Sequence, residues 1–299
     1  MCLYITTSKG LYNYDLKKNT LKKIIGNWHK GIFKKPSNGF FGICLDDHKK
    51  QIITVSREKL TKNSLYDKST DLILHFYDPM SHLKLDEIII YNLYDVHQIF
   101  YFNKKIYLTD TGKNRVQIYN CITKKIESFI NVGIDRKNLN HVNAIFVDKN
   151  KILIGLNNGN KENFRNAQII KINTNKTYDS NISIDAYDKG KIIELNDIYH
   201  THDLEHINND FFVSASEDGN LVSLNKLASV KSLPKWARGI SKSNNHIYVG
   251  KSGLASRKLR HSRYYDGKIS VLKRNSFEII DELLIPKIGQ LNDILYYEG

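Results

Sequence analysis

Five side chains with useful chemistry recur at related places along this chain. His97, His141, His200 and His202 are bases that can be neutral near physiological pH, and Arg238 is a permanent planar cation. His97, His202 and Arg238 each stand two positions before an aliphatic residue: Ile99, Leu204 and Ile240. The same offset places Phe41 before Ile43, Asn143 before Ile145 and Asn292 before Ile294. Two residues further up stand Gly39, Asp95, His141, His200, Trp236 and Gln290. Such polar groups cost free energy to bury unless paired, so their concentration calls for a functional explanation.

One chemistry is a divalent metal, zinc or calcium, held by His97 and His202, with His141 or Asn143 as a further ligand. A water on its open position becomes a nucleophile near neutral pH. His141 would then be a ligand or general base. Arg238 would grip a carboxylate or phosphate through its planar fork. The second chemistry is a polar small-ligand site without metal, lined by Asn143, His200, Trp236 and Asn292. In the third reading the imidazoles bond only to backbone and water. His200-Thr201-His202 is suggestive of a metal, but no H-E-x-x-H element occurs.

These residues can meet only if an architecture gathers them. After each of the first five aliphatic anchors come a polar turn and a short run rich in Val, Ile, Tyr and Phe. These runs are 51–56, 105–109, 151–156, 211–215 and 246–250. A further strand follows at 72–77, 116–120, 168–173, 221–224 and 268–273, and often a fourth, as at 125–130 or 278–285. No sustained helical period of apolar residues is present. Four strands per unit, repeated at variable spacing, predict an all-β six-bladed β-propeller of four-stranded antiparallel blades. The chain ends on an inner-strand motif at 290–297 and begins with strands at 3–7 and 10–16 that lack an inner partner. The C-terminal strand is therefore expected to pair with the N-terminal blade and close the ring, giving one domain over 1–299.

In a propeller the start of each inner strand and the loop between second and third strands reach the same rim. Three of those loops are long: 57–71, 157–167 and 251–267. The last contains Arg257, Arg260 and Arg263 and belongs to the unit of Arg238, so it is read either as an anion clamp above the pore or as a solvated loop whose arginines meet neighbouring acids such as Glu217 and Asp218. A phosphate-binding glycine loop, a G-x-S-x-G elbow and Cys-x-x-Cys are absent, and no serine is marked as a nucleophile by its neighbours.

Composition bounds the partners. Lys and Arg total 45 against 31 Asp and Glu, a net charge of +14. With no long basic run, the excess reads first as lysines spread over turns that solvate the surface and second as a sign of an anionic partner, among which nucleic acid ranks below a small anion. Three cysteines, Cys2, Cys44 and Cys121, imply neither a disulfide framework nor a zinc ribbon. With no secretory signal and no apolar run of membrane-spanning length, the expectation is a cytoplasmic monomer with no membrane partner.

The stretches Trp236-Ala237-Arg238-Gly239-Ile240, Ile247-Tyr248-Val249-Gly250-Lys251-Ser252, Gly267-Lys268-Ile269-Ser270-Val271 and Gly289-Gln290-Leu291-Asn292-Asp293-Ile294 resemble a group of mainly bacterial six-bladed propeller proteins. More broadly the chain is similar to the TolB-like superfamily, which includes gluconolactonase/senescence-marker proteins and the peptidylglycine amidating lyase. The resemblance implies the fold. For activity it implies a funnel metal held by Glu, Asn and Asp in the first group and by histidines in the second. This chain carries Asn143 and Asn292 but no acid in the main ring, so its histidines look more like the lyase pattern. The functional expectation is a funnel that binds a small anionic metabolite or sugar derivative, with metal-assisted hydrolase or lyase chemistry. The alternative is a non-catalytic module whose basic rim binds a protein, glycan or nucleic acid.

Overall fold

A computed structural model describes residues 1–26, 39–57, 70–93, 95–133, 141–157, 166–174, 184–216, 219–233, 236–252 and 265–299. These form six β-sheets, numbered here as blades 1 to 6. Blade 2 runs Phe40–Asp46, Gln51–Arg57, Thr70–Tyr77 and Lys84–Leu93 from channel to rim. Blade 3 runs Ile99–Phe102, Lys105–Asp110, Arg115–Asn120 and Lys125–Asn131. Blade 4 runs Val142–Val147, Lys151–Leu156, Ala167–Asn173 and Gly190–Leu195. Blade 5 runs Thr201–Ile207, Asp210–Ala215, Asn220–Ser223 and Ala228–Ser232, and blade 6 runs Ala237–Lys242, His246–Ser252, Gly267–Lys273 and Ile279–Ile285. Blade 1 joins both ends of the chain: Leu291–Tyr297 is its inner strand, followed by Cys2–Thr7, Gly10–Asp15 and Thr20–Ile25.

The closure predicted from sequence is present, with Ile5 opposite Ile294 and Cys2 opposite Tyr297. Each inner strand adjoins the next, and Leu291–Tyr297 adjoins both Ala237–Lys242 and Phe40–Asp46, which completes the circle. Blade 3 departs from the four-strand expectation. Ile184–Asp185 adds in parallel to its outer strand, with Ile130 opposite Ile184, and shields part of an open edge. A one-turn helix, Ala186–Lys189, follows; Asp185 caps it by accepting the Tyr187 N–H.

Local chemistry sets the hairpins. Asn103-Lys104 and Asn208-Asn209 both take positive φ, which makes two-residue turns whose twist matches the flanking strands. Asp46 and Asp148 accept N–H groups of the turns that follow them. Between blades lie six apolar clusters, one at each interface. The anchors Ile43, Ile99, Ile145, Leu204, Ile240 and Ile294 are all buried, at 5% exposure or less, and each faces the preceding blade. Their burial removes β-branched and leucine side chains from water, worth about 1.5–3 kcal/mol each.

A specific prediction concerns the seam. Ile294→Ala should destabilise the protein by about 2–5 kcal/mol through a cavity at the blade 6–blade 1 interface. Ile192→Ala, on the solvent-facing outer strand of blade 4, should cost less than about 1 kcal/mol. Urea denaturation midpoints of the two variants check this, and equal losses would contradict a ring closed at that strand.

Candidate functional site

The polar residues turn toward the axis because the strands are irregular where they begin. Pairing with the second strand slips between Phe41 and Ile43, Val142 and Ala144, His202 and Leu204, and Ala237 and Ile240, and again opposite Thr6 and Thr7 in blade 1. Such bulges release a residue from the ladder and re-aim its side chain. In blade 3 the strand begins only at Ile99, and the N–H groups of His97 and Gln98 are held by Thr109 Oγ1 at 3.1 Å.

The structure brings His97, His141 and His202 together. The His97 ring centroid lies 5.3 Å from that of His141 and 5.5 Å from that of His202. His202 and Arg238 are buried, at 7% and 9% exposure. Burial holds His202 well below the usual imidazole value, and the charges of Arg238, His97, His141 and His200 push it the same way. Asp95 Oδ2 sits 3.7 Å from His97 Nε2, a charge contact longer than a hydrogen bond. Asn157 Nδ2 lies 3.2 Å from His200 Nδ1, which fastens that ring to the end of the second strand of blade 4.

The upper residues reach the mouth by a different route from the strand alternation expected. Asp95, His141, His200 and Trp236 precede their strands and take left-handed φ of 58°, 48°, 54° and 66°. Their shared conformation, uncommon outside glycine, marks a repeated strained entry. The carbonyls of His141, His200 and Trp236 accept N–H groups from Asn157, Ser216 and Ser252. Trp236 is half-buried, and its indole Nε1 is shielded without a hydrogen bond.

Asn143 and Asn292 lie at the expected level, but their amide nitrogens are committed to neighbouring blades. Asn143 Nδ2 donates to Thr201 O at 3.2 Å and Asn292 Nδ2 to Phe40 O at 2.6 Å. Arg257, Arg260 and Arg263 lie outside the described residues.

Sequence reasoning passed over the residues one step nearer the anchors: Gln98, Asp203 and Asp293. Each accepts a peptide N–H from the next blade, Gln98 Oε1 from Ile145 at 2.7 Å, Asp203 Oδ2 from Gly239 at 2.6 Å and Asp293 Oδ2 from Ile43 at 3.0 Å. They alternate round the ring with Gly42, Ala144 and Gly239, and that alternation was the available signal. Gly239 has φ of 73°, and a Cβ there would meet Ile294 N at 2.8 Å. Burial raises Asp203 to about 6, against the lowering effects of the Gly239 N–H and of Arg238. Asp293 is pushed well above the carboxylate range, first by burial and then by the charge of Asp203. The channel thus sets the Arg238 cation and the imidazoles one residue above two buried carboxyl groups that burial makes harder to ionise.

Among the described residues, no three His, Cys, Asp or Glu groups are arranged to hold one metal ion. A chelate needs nitrogens about 2 Å from a common centre. As placed, the described His, Cys, Asp and Glu side chains do not converge in threes on a zinc or calcium ion.

The fold and this mouth define the class: a six-bladed β-propeller. No protein-family model matches the chain, and no curated protein matches it in sequence. Among solved structures it is similar to a chain in the crystal structure of a Nidogen/Laminin complex, at 12% identity over 98% of this chain and 97% of that one, with a TM-score of 0.61. It is also similar to a protein of unknown function from Bacteroides caccae, at 11% identity over 98% and 97%, with a TM-score of 0.59. At such identities the likeness shows the fold alone. No helix among the described residues is long and apolar enough to cross a membrane.

The His202 environment gives a second prediction. Arg238→Met should raise the His202 pKa toward the ordinary imidazole value, read from imidazole proton–nitrogen NMR spectra. A ring held neutral in the native state but charged when unfolded loses stability as pH falls below about 6.5. That part of the acid sensitivity should shrink in the variant. An unmoved His202 would show that the guanidinium does not face it.

Proposed function

We propose that the funnel binds a small anion of the carboxylate or phosphate class. The packing of His97 on both His141 and His202, with the charge of the buried Arg238 acting on His202, carries this reading. Arg238 offers a fixed charge in a partly dehydrated setting, where a charge-assisted hydrogen bond is stronger than in water. The imidazoles add donors or acceptors according to tautomer, so the pocket adapts to mono- or dianions. Asp203, tied to the peptide that follows Arg238, fixes that segment against blade 5. In the catalytic version, His141 exchanges a proton with the bound ligand, since it stands half-buried at the rim beside His97. Hydrolase or lyase turnover would follow from that exchange. The metal-assisted form of the proposal requires the imidazoles to rotate onto a common ion.

A second reading uses the rim as a docking surface for a macromolecule. The net charge of +14 favours it, and a propeller of similar fold is found in a Nidogen/Laminin complex.

Calorimetric titration with phosphate, malonate and citrate tests the first reading. At least one should bind the wild type, and Arg238→Gln should weaken it by about 10- to 100-fold, the worth of a charged hydrogen bond. His97→Gln should weaken it less. No binding of any anion, or affinity unchanged in Arg238→Gln, would overturn the proposal. Binding that appears only after zinc addition would favour the metal-assisted form. A polyanion affinity that falls steeply with salt and ignores Arg238→Gln would favour the rim.

A further inference from the structure

Blade 2 carries a cluster that the funnel does not use. Ser56, His75 and Glu87 come from its second, third and fourth strands and share one face of the sheet, Glu87 directly opposite His75 and Ser56 on the diagonal from it. Ser56 Oγ is 2.7 Å from His75 Nε2, and His75 Nδ1 is 3.3 Å from Glu87 Oε2. Direct strand pairing sets His75 opposite Thr54 on one side and Glu87 on the other. Lys84 Nζ holds the same Glu87 oxygen at 2.9 Å. The ring packs on Phe40 at 5.4 Å and Tyr77 at 6.2 Å between centroids.

The same level of the other blades shows what is particular here. At the positions of Ser56 and His75, blade 4 has Leu156 and Ile170, and blade 5 has Ala215 and Val222, all buried and apolar. Blade 3 has Asp110 and Gln117, joined at 2.8 Å, and blade 6 has Lys251 and Ser270, with Lys251 paired to Glu282. Blade 1 has Thr7 and Tyr12 at this level, so apolar, amide, hydroxyl and ion-paired side chains all occupy it in the other blades. Only blade 2 sets a hydroxyl, an imidazole and a carboxylate in sequence, among the described residues. Burial lowers His75 to about 4, so the ring is neutral at physiological pH and has one nitrogen free to accept. The Glu87 contact lacks hydrogen-bond alignment, since His75 Nδ1 has no bond of good geometry, and the carboxylate acts on the ring mainly through charge. Relays of this kind are often long before substrate binds.

We propose that Ser56, His75 and Glu87 form a nucleophile–base–carboxylate relay that accepts an acyl group from a small carboxylic ester. Ser56 Oγ attacks the ester carbonyl, and the new C–O bond forms as the hydroxyl proton passes to His75 Nε2. The tetrahedral adduct then breaks its bond to the leaving alkoxide, which departs with that proton as an alcohol. Water repeats the sequence: its proton goes to His75, its oxygen bonds the acyl carbon, and Ser56 regains its hydrogen as the carboxylic acid leaves. Glu87 is a positioning residue that favours the tautomer with hydrogen on Nδ1. At 3% exposure Ser56 admits only a compact acyl group, and the Phe40 and Tyr77 rings make an apolar surround that suits an uncharged one.

A fluorophosphonate that labels active serines tests this on the whole protein. One equivalent should add, and peptide mapping should place it on Ser56. Ser56→Ala should lose the label with an unchanged melting temperature. His75→Gln should slow labelling by about 100-fold or more. Glu87→Gln should slow it less, and Glu87→Asp should recover part of the rate. Absence of labelling on the folded wild type, or labelling mapped to another residue, would overturn the proposal. If Ser56→Ala does not fold, the mapped adduct on the wild type decides alone.

Discussion

The lacing of each inner strand to its neighbour at the channel mouth is the constraint on which the rest of this molecule rests. Apolar clusters hold the blades face to face, but hydrophobic attraction has no direction and fixes no register. Polar bonds do. Every interface has at least one at strand entry: Asn292 to Phe40 O, Gly42 N to His97 O, Ile145 N to Gln98, Asn143 to Thr201 O, Gly239 N to Asp203, and Ser252 Oγ to Leu291 O. Inner-strand edges would otherwise present unpaired peptide groups to the channel, at a cost of about 1–3 kcal/mol for each one buried. The side chains that pair them are the residues beside the candidate site.

That double use explains the electrostatic character of the funnel. Acceptors are needed to hold N–H groups, so the waist acquires Asp203 and Asp293, and burial raises both carboxyls. Beside the imidazoles, Arg238 supplies the opposite sign, and its charge helps to hold His202 neutral. The site chemistry is in this sense a by-product of how the ring is closed.

Much of the fold was legible in the sequence because its signals are local and repeated. Runs rich in β-branched residues, polar turns and one aliphatic anchor recur from unit to unit, and the terminal strand at 290–297 lacked a blade of its own. The site was legible in part. His97, His141, His202 and Arg238 share offsets from the anchors, so placing the anchors on a ring brought them together. What could not be read was which polar residues are spent on structure. Asn143 and Asn292 look like ligand groups in sequence, yet their amides bond carbonyls of another blade. Asp203 and Asp293 looked incidental, yet they bridge blades.

The amino-acid sequence by itself determined the strand periodicity, the number of units, the join between the two ends and the level at which imidazoles and guanidinium gather. These follow from side-chain alternation and turn chemistry, which act over a few residues. Tertiary structure alone decided where the side chains point. Bulges and left-handed residues at strand entry rotate them, and contacts between segments as distant as Ile43 and Asp293 choose their partners. It also decided that Ser56, His75 and Glu87 meet, because strand pairing sets Glu87 opposite His75 and leaves Ser56 on the same face within reach of the ring, where no sequence motif connects them.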